Sequence, residues 1–266
     1  MTNREKYMFS DFTLDNYRKL IKIAKNQGFS FIRHKDLFIE DRKDLIWRHD
    51  VEFSPAVALK MAEIEYDEGI HATYFWQLHT TYYNTASTYF VDVLKKIYFM
   101  GHYIGLHFDS HFWNIQDSEE LDRFIQIDAN YLETIMKRNG INEKLDTFSF
   151  HNTNSFTMSC KENTYGGLIN VYSNFISEHY DYCSDSTGIW RFDRLEDKLL
   201  DSTVRHLQVL THDGMWSKEA ISPHLRVMNC IQNEADRQKQ FYATGLPKSG
   251  NINVGEYRIN PNIDEE

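Results

Sequence analysis

Short apolar or aromatic runs alternate along this chain with amphipathic stretches of about ten to twenty residues, and this alternation is the tightest constraint on its fold. Residues 13–28 (TLDNYRKLIKIAKNQG) place Leu14, Tyr17, Leu20, Ile21 and Ala24 on one helical face, with Thr13 to cap the helix and Gly28 to end it. Ser54-Pro55 opens a second helix over 55–68 that Gly69 terminates, and a third spans about 87–100. A fourth starts at Ser118, its expected cap, presents Leu121, Phe124, Ile125, Tyr131, Leu132 and Ile135, and stops at Asn139-Gly140. Between and after them, 29–34 (FSFIRH), 44–53 (DLIWRHDVEF), 70–76 (IHATYFW), 103–107 (YIGLH), 147–151 (TFSFH) and 206–212 (HLQVLTH) read as strands. The pattern predicts a parallel α/β sheet or barrel. With no linker and no repeat, one domain over 1–266 is the simpler organisation, and the polar stretch from Ala235, broken by Pro247 and Gly250, predicts a peripheral segment 235–266.

Composition narrows the function classes. A chain of 266 residues with 41% hydrophobic and 15% aromatic residues carries enough apolar surface for a packed core. Its 29 Lys+Arg against 39 Asp+Glu leave a net charge of −10, so there is no basic field for a phosphate backbone, and nucleic acid is not an expected partner. No segment approaches the ~20 apolar residues of a membrane span, so no membrane insertion is expected. The mixed-charge start (MTNREK) and three widely spaced cysteines, Cys160, Cys183 and Cys230, predict reduced thiols and a cytoplasmic location.

The polar residues cluster where strands end. In parallel α/β folds the carboxyl ends of strands carry the chemistry, because that face collects the loops. Alternation along 44–53 sends Arg48, Asp50 and Glu52 to one side, while His107, His151 and His212 close three other strands. Two carboxylates and at least three imidazoles would thus gather at one end of the domain. His107 and His111 (HFDSH) have the spacing that sets two imidazoles side by side on a helical turn or on a turn just past a strand, and two histidines with a carboxylate form a common open zinc or iron site. The alternative for Asp50 or Glu52 is a pair with Arg48 or a contact with the helix N-terminus at Ser54-Pro55. Trp47, Trp76, Trp113, Trp190 and Trp216 read mostly as core, with one or two available to stack on a sugar ring.

RHDVEFSPAVALKMAEIEYDEGIHATYFW resembles the first motif and following strand of the polysaccharide-deacetylase superfamily, the NodB-homology proteins of carbohydrate esterase family four. The likeness is to the branch written RHDVDFSP, and it continues through GHYIGLHFDSH, FSFHNT, SDSTGIW and LQVLTHDGMW, so the motifs lie within 12–216. It implies a deformed (β/α) barrel of about seven parallel strands, and a metal-dependent hydrolase that removes an acetyl group from an N-acetylated sugar. The metal would be divalent, most readily Zn2+, with Co2+, Ni2+, Fe2+ or Mn2+ as alternatives, and the setting bacterial surface-polysaccharide (O-antigen or capsule) biosynthesis. Carried over by position, the resemblance makes Asp50 the general base and His212 the general acid, with Glu52, His107 and His111 as metal ligands. Arg48, His151, Asp185, Trp190 and Trp216 would bind or orient substrate. Glu52 stands where relatives carry a second aspartate, which leaves Asp50 open as the carboxylate ligand. Arg48 can replace the arginine partner that the third motif lacks, and Asp213 occupies a position where the branch often has proline. Other readings of the same site are an ester or other amide of a modified sugar as substrate, or a non-hydrolytic sugar-binding or assembly protein.

Overall fold

The computed structural model describes residues 1–36 and 40–250. Nine strands form one sheet among them: β1 Ser30–Ile32, β2 Asp44–Val51, β3 Thr73–Gln77, β4 Tyr103–Phe108, β5 Thr147–Phe150, β6 Thr164–Tyr165, β7 Leu168–Asn170, β8 Asp181–Ser184 and β9 His206–His212. From β7 through β5, β4, β3, β2 and β9 to β8, seven neighbouring strands run parallel, as the resemblance implies. β6 adds antiparallel to β7, and β1 pairs with the first residues of β2 before β3 takes over that edge at Arg48.

The sheet is curled into a half-barrel. Strands β2 and β5 are separated by β4 and β3, which in a flat sheet means about 14 Å, yet Ser149 on β5 donates a hydrogen bond to Asp50 on β2 at 3.1 Å. Arg48 likewise reaches across the interior to the Tyr172 hydroxyl, just past β7, at 3.3 Å. Because helices cover the outside, both faces of β2 are buried along its whole length.

Local signals account for the main helices. Thr13 caps Leu14–Asn26, which buries Tyr17, Leu20, Ile21 and Ala24; Ser54 caps Pro55–Asp67, and Ser87 caps Thr88–Phe99. The fourth helix, Ser118–Arg138, departs from expectation in two details. Asp117 rather than Ser118 is the cap, its extended backbone letting the carboxylate accept from the Glu120 amide at 2.9 Å. Tyr131 faces solvent, and Ala129, Leu132 and Met136 take the buried stripe. The strand expected over 70–76 is shorter at its start, because Ile70 still closes the preceding helix through its amide bond to the Glu65 carbonyl.

The C-terminal region differs more. A single helix spans Pro223–Lys248 and passes through Pro247, a residue expected to break it. Residues 251–266 of the segment expected to be peripheral lie outside the described residues. Among the described residues no helix is long and apolar enough to cross a membrane.

Candidate metal centre and cleft

Register places the chemistry. Asp50 pairs with His212 across β2 and β9, and His107 with Ser149 across β4 and β5, so these side chains share one end of the half-barrel. Glu52 follows β2 directly, on a turn fixed by Asp213. That buried carboxylate accepts from the backbone amides of Glu52 at 2.8 Å, Phe53 at 3.2 Å and also Ser54, while Thr80 donates to the Glu52 carbonyl at 2.8 Å. Burial pushes the Asp213 carboxyl up to about 7 in spite of those three amides.

Glu52, His107 and His151 converge, with their ligand atoms all within 4.8 Å of one another. Glu52 Oε1 lies 3.0 Å from His107 Nε2 and 2.8 Å from His151 Nδ1, and the two nitrogens are 3.2 Å apart. The hydrogen bonds behind His107 decide what this means. Ser149 Oγ gives its proton to Asp50, so at 2.7 Å it accepts from His107 Nδ1–H. A neutral His107 then turns the lone pair of Nε2 toward a carboxylate oxygen and a second imidazole nitrogen. Electron-pair donors facing one another at these distances require a shared proton or a cation, and one carboxylate with two imidazoles is a donor set for zinc or a similar divalent ion. The three residues therefore fit the implied metal. Where protons and not a cation bridge the group, burial works against the charge on Glu52, but hydrogen bonds with His107 and His151 outweigh it and hold the carboxyl well below its ordinary value. His151 is shifted the other way: burial lowers it, and Glu52 more than restores it.

Around this centre stand two further groups. Asp50 is held by Arg48, whose Nη1 lies 3.0 and 3.3 Å from its two oxygens, so the expected replacement partner is in place. His212 Nδ1 sits 2.6 Å from Asp185 Oδ1, and Trp216 Nε1 donates to Asp185 Oδ2 at 2.8 Å. Burial disfavours the imidazolium, but the Asp185 carboxylate overrides this and pushes His212 up to about 10. Asp50, Glu52, His107 and His212 all line one cavity of about 620 Å³. A cavity of similar size, about 660 Å³, lies between Thr88–Phe99 and the C-terminal helix but gathers no comparable set of ionisable groups.

Two of the expected site residues stand elsewhere and one acts indirectly. His111 is outside the converging group, with its Nε2 2.7 Å from the Asn152 carbonyl. His107 is on a strand and His111 on the turn beyond it, one of the two placements the spacing allows, but that turn carries the His111 imidazole to the Asn152 carbonyl and away from the converging group. Trp190 packs 5.0 Å from Phe12 and donates to Asp11 at 3.0 Å, so it braces the N-terminal segment. Trp216 is buried and reaches the site only through Asp185. Conversely, Ser149 and Asp213 organise the centre and were not recognised from sequence as doing so. Alternation in TFSFH, which puts Ser149 on the same side as His151, was the available signal for Ser149.

No family model and no curated protein matches the sequence. Solved structures do resemble it. A family 4 carbohydrate esterase from Bacillus anthracis is 15% identical, with 82% of this chain and 84% of that one covered and a TM-score of 0.43. The chitin deacetylase from the fungal pathogen Colletotrichum lindemuthianum is 16% identical, with coverage of 77% and 86% and a TM-score of 0.43. A family 4 pseudoenzyme from Bacillus anthracis is 12% identical, with coverage of 73% and 63% and a TM-score of 0.40.

Proposed function

We propose that this protein is a metal-dependent hydrolase that removes the acetyl group from an N-acetylated sugar. The observation that carries this reading is the convergence of Glu52, His107 and His151 beside a cavity that Glu52 and His107 line together with Asp50 and His212. Bound there, a divalent metal supplies Lewis acidity toward the amide carbonyl and its attacking water.

The chain's own residues supply the proton transfers. Asp50, oriented by Arg48 and Ser149, takes a proton from water as its oxygen attacks the acetyl carbon. His212, kept protonated by Asp185, gives a proton to the sugar nitrogen as the C–N bond breaks. Acetate and a free amino sugar leave. Acid and base stand on adjacent strands, β9 and β2, at the same level of the sheet, which lets them act on two atoms of one amide. The substrate we propose is a precursor of a bacterial surface polysaccharide, a reading supported by the branch of the first motif, and it fits a cytoplasmic enzyme.

Elemental analysis and acetate release together test the reading. Wild-type protein is expected to hold near-stoichiometric divalent metal and to release acetate from an acetylated amino sugar, whereas His107→Ala/His151→Ala loses both. His111→Ala keeps the metal. Protein that takes up no zinc, cobalt or nickel on incubation would overturn the hydrolase mechanism, and metal lost only in His111→Ala would move the centre.

A further inference from the structure

The same cavity carries a cation that the mechanism does not use. Arg191 is the one lysine or arginine lining it among the described residues, and its guanidinium makes no hydrogen bond or ion pair with any described residue. The nearest acid in sequence, Asp193, is engaged by Lys198 at 3.4 Å. Beside Arg191, Phe192 also lines the cavity and is 71% exposed, with the guanidinium carbon 5.7 Å from its ring centre. The remaining charged groups of the lining are matched: Asp50 by Arg48, Glu52 by the two histidines, His212 by Asp185.

The segment bearing this pair is built, not loose. Trp190 on one side and Arg194 on the other both bind the buried carboxylate of Asp11, Trp190 Nε1 at 3.0 Å and Arg194 Nε at 2.6 Å. One acid therefore clamps both ends of a short loop whose tip presents Arg191 and Phe192 to the cleft. In a protein with a net charge of −10, the general field repels anions, so an unpaired guanidinium at the mouth is a local reversal of sign. Its planar fork matches a carboxylate or a phosphate, and the exposed ring beside it supplies an apolar face for a sugar or an attached group.

Resting on the deacetylation reading above, we infer that the acetylated sugar carries an anionic group, carboxylate or phosphate, which Arg191 binds while Phe192 lies against the adjoining ring. Arg191 and Phe192 are thus specificity determinants, separate from the residues that move protons.

The test uses three probes with the same acetamido group: the methyl glycoside of N-acetylglucosamine, its 6-carboxylate, and N-acetylglucosamine 1-phosphate. Binding is measured on metal-free protein by calorimetry or ligand-observed NMR, and acetate release on the metal-loaded enzyme. Wild type is expected to bind one anionic probe about tenfold more tightly than the neutral one, the scale of one charge-assisted hydrogen bond. Arg191→Gln brings that ratio close to one, and added salt weakens it. Whichever anion is preferred distinguishes an acidic sugar from a sugar phosphate. Equal binding of all three probes, no binding by either anion, or a preference that survives Arg191→Gln overturns the inference. Arg191 holds no described contact that folding needs, so an unchanged melting temperature in Arg191→Gln confirms that the loss is one of binding. Acetate release without anion preference leaves the hydrolase standing and removes this inference; anion-selective binding without acetate release from any probe does the reverse.

Discussion

Strand β2 separates two clusters of the same composition, one partly open and one buried. On its inner side Glu52 meets His107 and His151; on its outer side Glu65 meets His49 and His102, with all three of the latter fully or almost fully buried. In the outer cluster every electron pair has a partner. Glu65 accepts from the hydroxyls of Tyr17 and, at 2.6 Å, Tyr74, while His49 lies 2.7 Å from Glu65 and 2.6 Å from Thr211 Oγ1. His102 accepts from the Ala72 amide and donates to the Ala62 carbonyl, which fixes it as neutral. Nothing is left over to bind an ion. In the inner cluster Ser149 and Asn152 satisfy only the outward nitrogens of His107 and His151, and the inward nitrogens face Glu52 and each other beside a cavity. A carboxylate with two imidazoles is a site in one setting and a structural strut in the other, and the surrounding hydrogen bonds decide which.

Removing the acid from each cluster should break the comparison most sharply. Glu52→Gln is expected to abolish metal retention and lower acetate release about 10³-fold, the scale of electrostatic stabilisation of a developing oxyanion, with the fold intact by circular dichroism. Glu65→Gln should do the opposite, costing about 3 kcal/mol in denaturant unfolding because its buried partners lose the carboxylate they are bonded to, with metal content unchanged. Equal effects on stability from the two variants would dissolve the distinction.

Ser149→Ala sharpens it. If Ser149 sets the His107 tautomer, its loss should weaken metal affinity by about 10- to 100-fold, as for other residues that orient a ligand, measured by competition with a chelator. The smallest effect concerns pH. Asp185 raises the pKa of His212 to about 10, so the acid form persists through neutrality and activity falls as pH rises toward that value. Removing the carboxylate charge in Asp185→Asn lowers the His212 pKa, and the alkaline limb of kcat/KM should move to lower pH. An unmoved limb would assign the proton transfer to another group.

Much of this architecture was legible in the chain. Period-two alternation identified Arg48 and Asp50 as one face of β2, and the caps Thr13 and Ser54 marked helix starts within a residue, because both effects act over a few bonds. Asp117 was missed beside Ser118 because two good caps stood next to each other. The final helix was missed because its exposed surface, with Phe241 and Tyr242 both facing solvent, leaves no clear apolar stripe. Strand β8 and the β6–β7 pair are too short for periodicity to register.

The ligand set divides along the same line. The positions of Glu52 and His107 followed from their places at or beside strand ends, as did those of Asp50 and His212, the base and acid of the proposed mechanism. The third member of the converging group did not: spacing favoured His111, but the turn after β4 carries it to the Asn152 carbonyl, while curling brings the end of β5, with His151, over β4 and toward β2. Sequence fixes which face a strand residue occupies, since alternation is a property of the local backbone. Which of those faces meet is decided by the curvature of the whole sheet, a long-range property set by packing of the helices around it, and the metal centre, the Glu65 strut and the clamped Arg191 loop all depend on that.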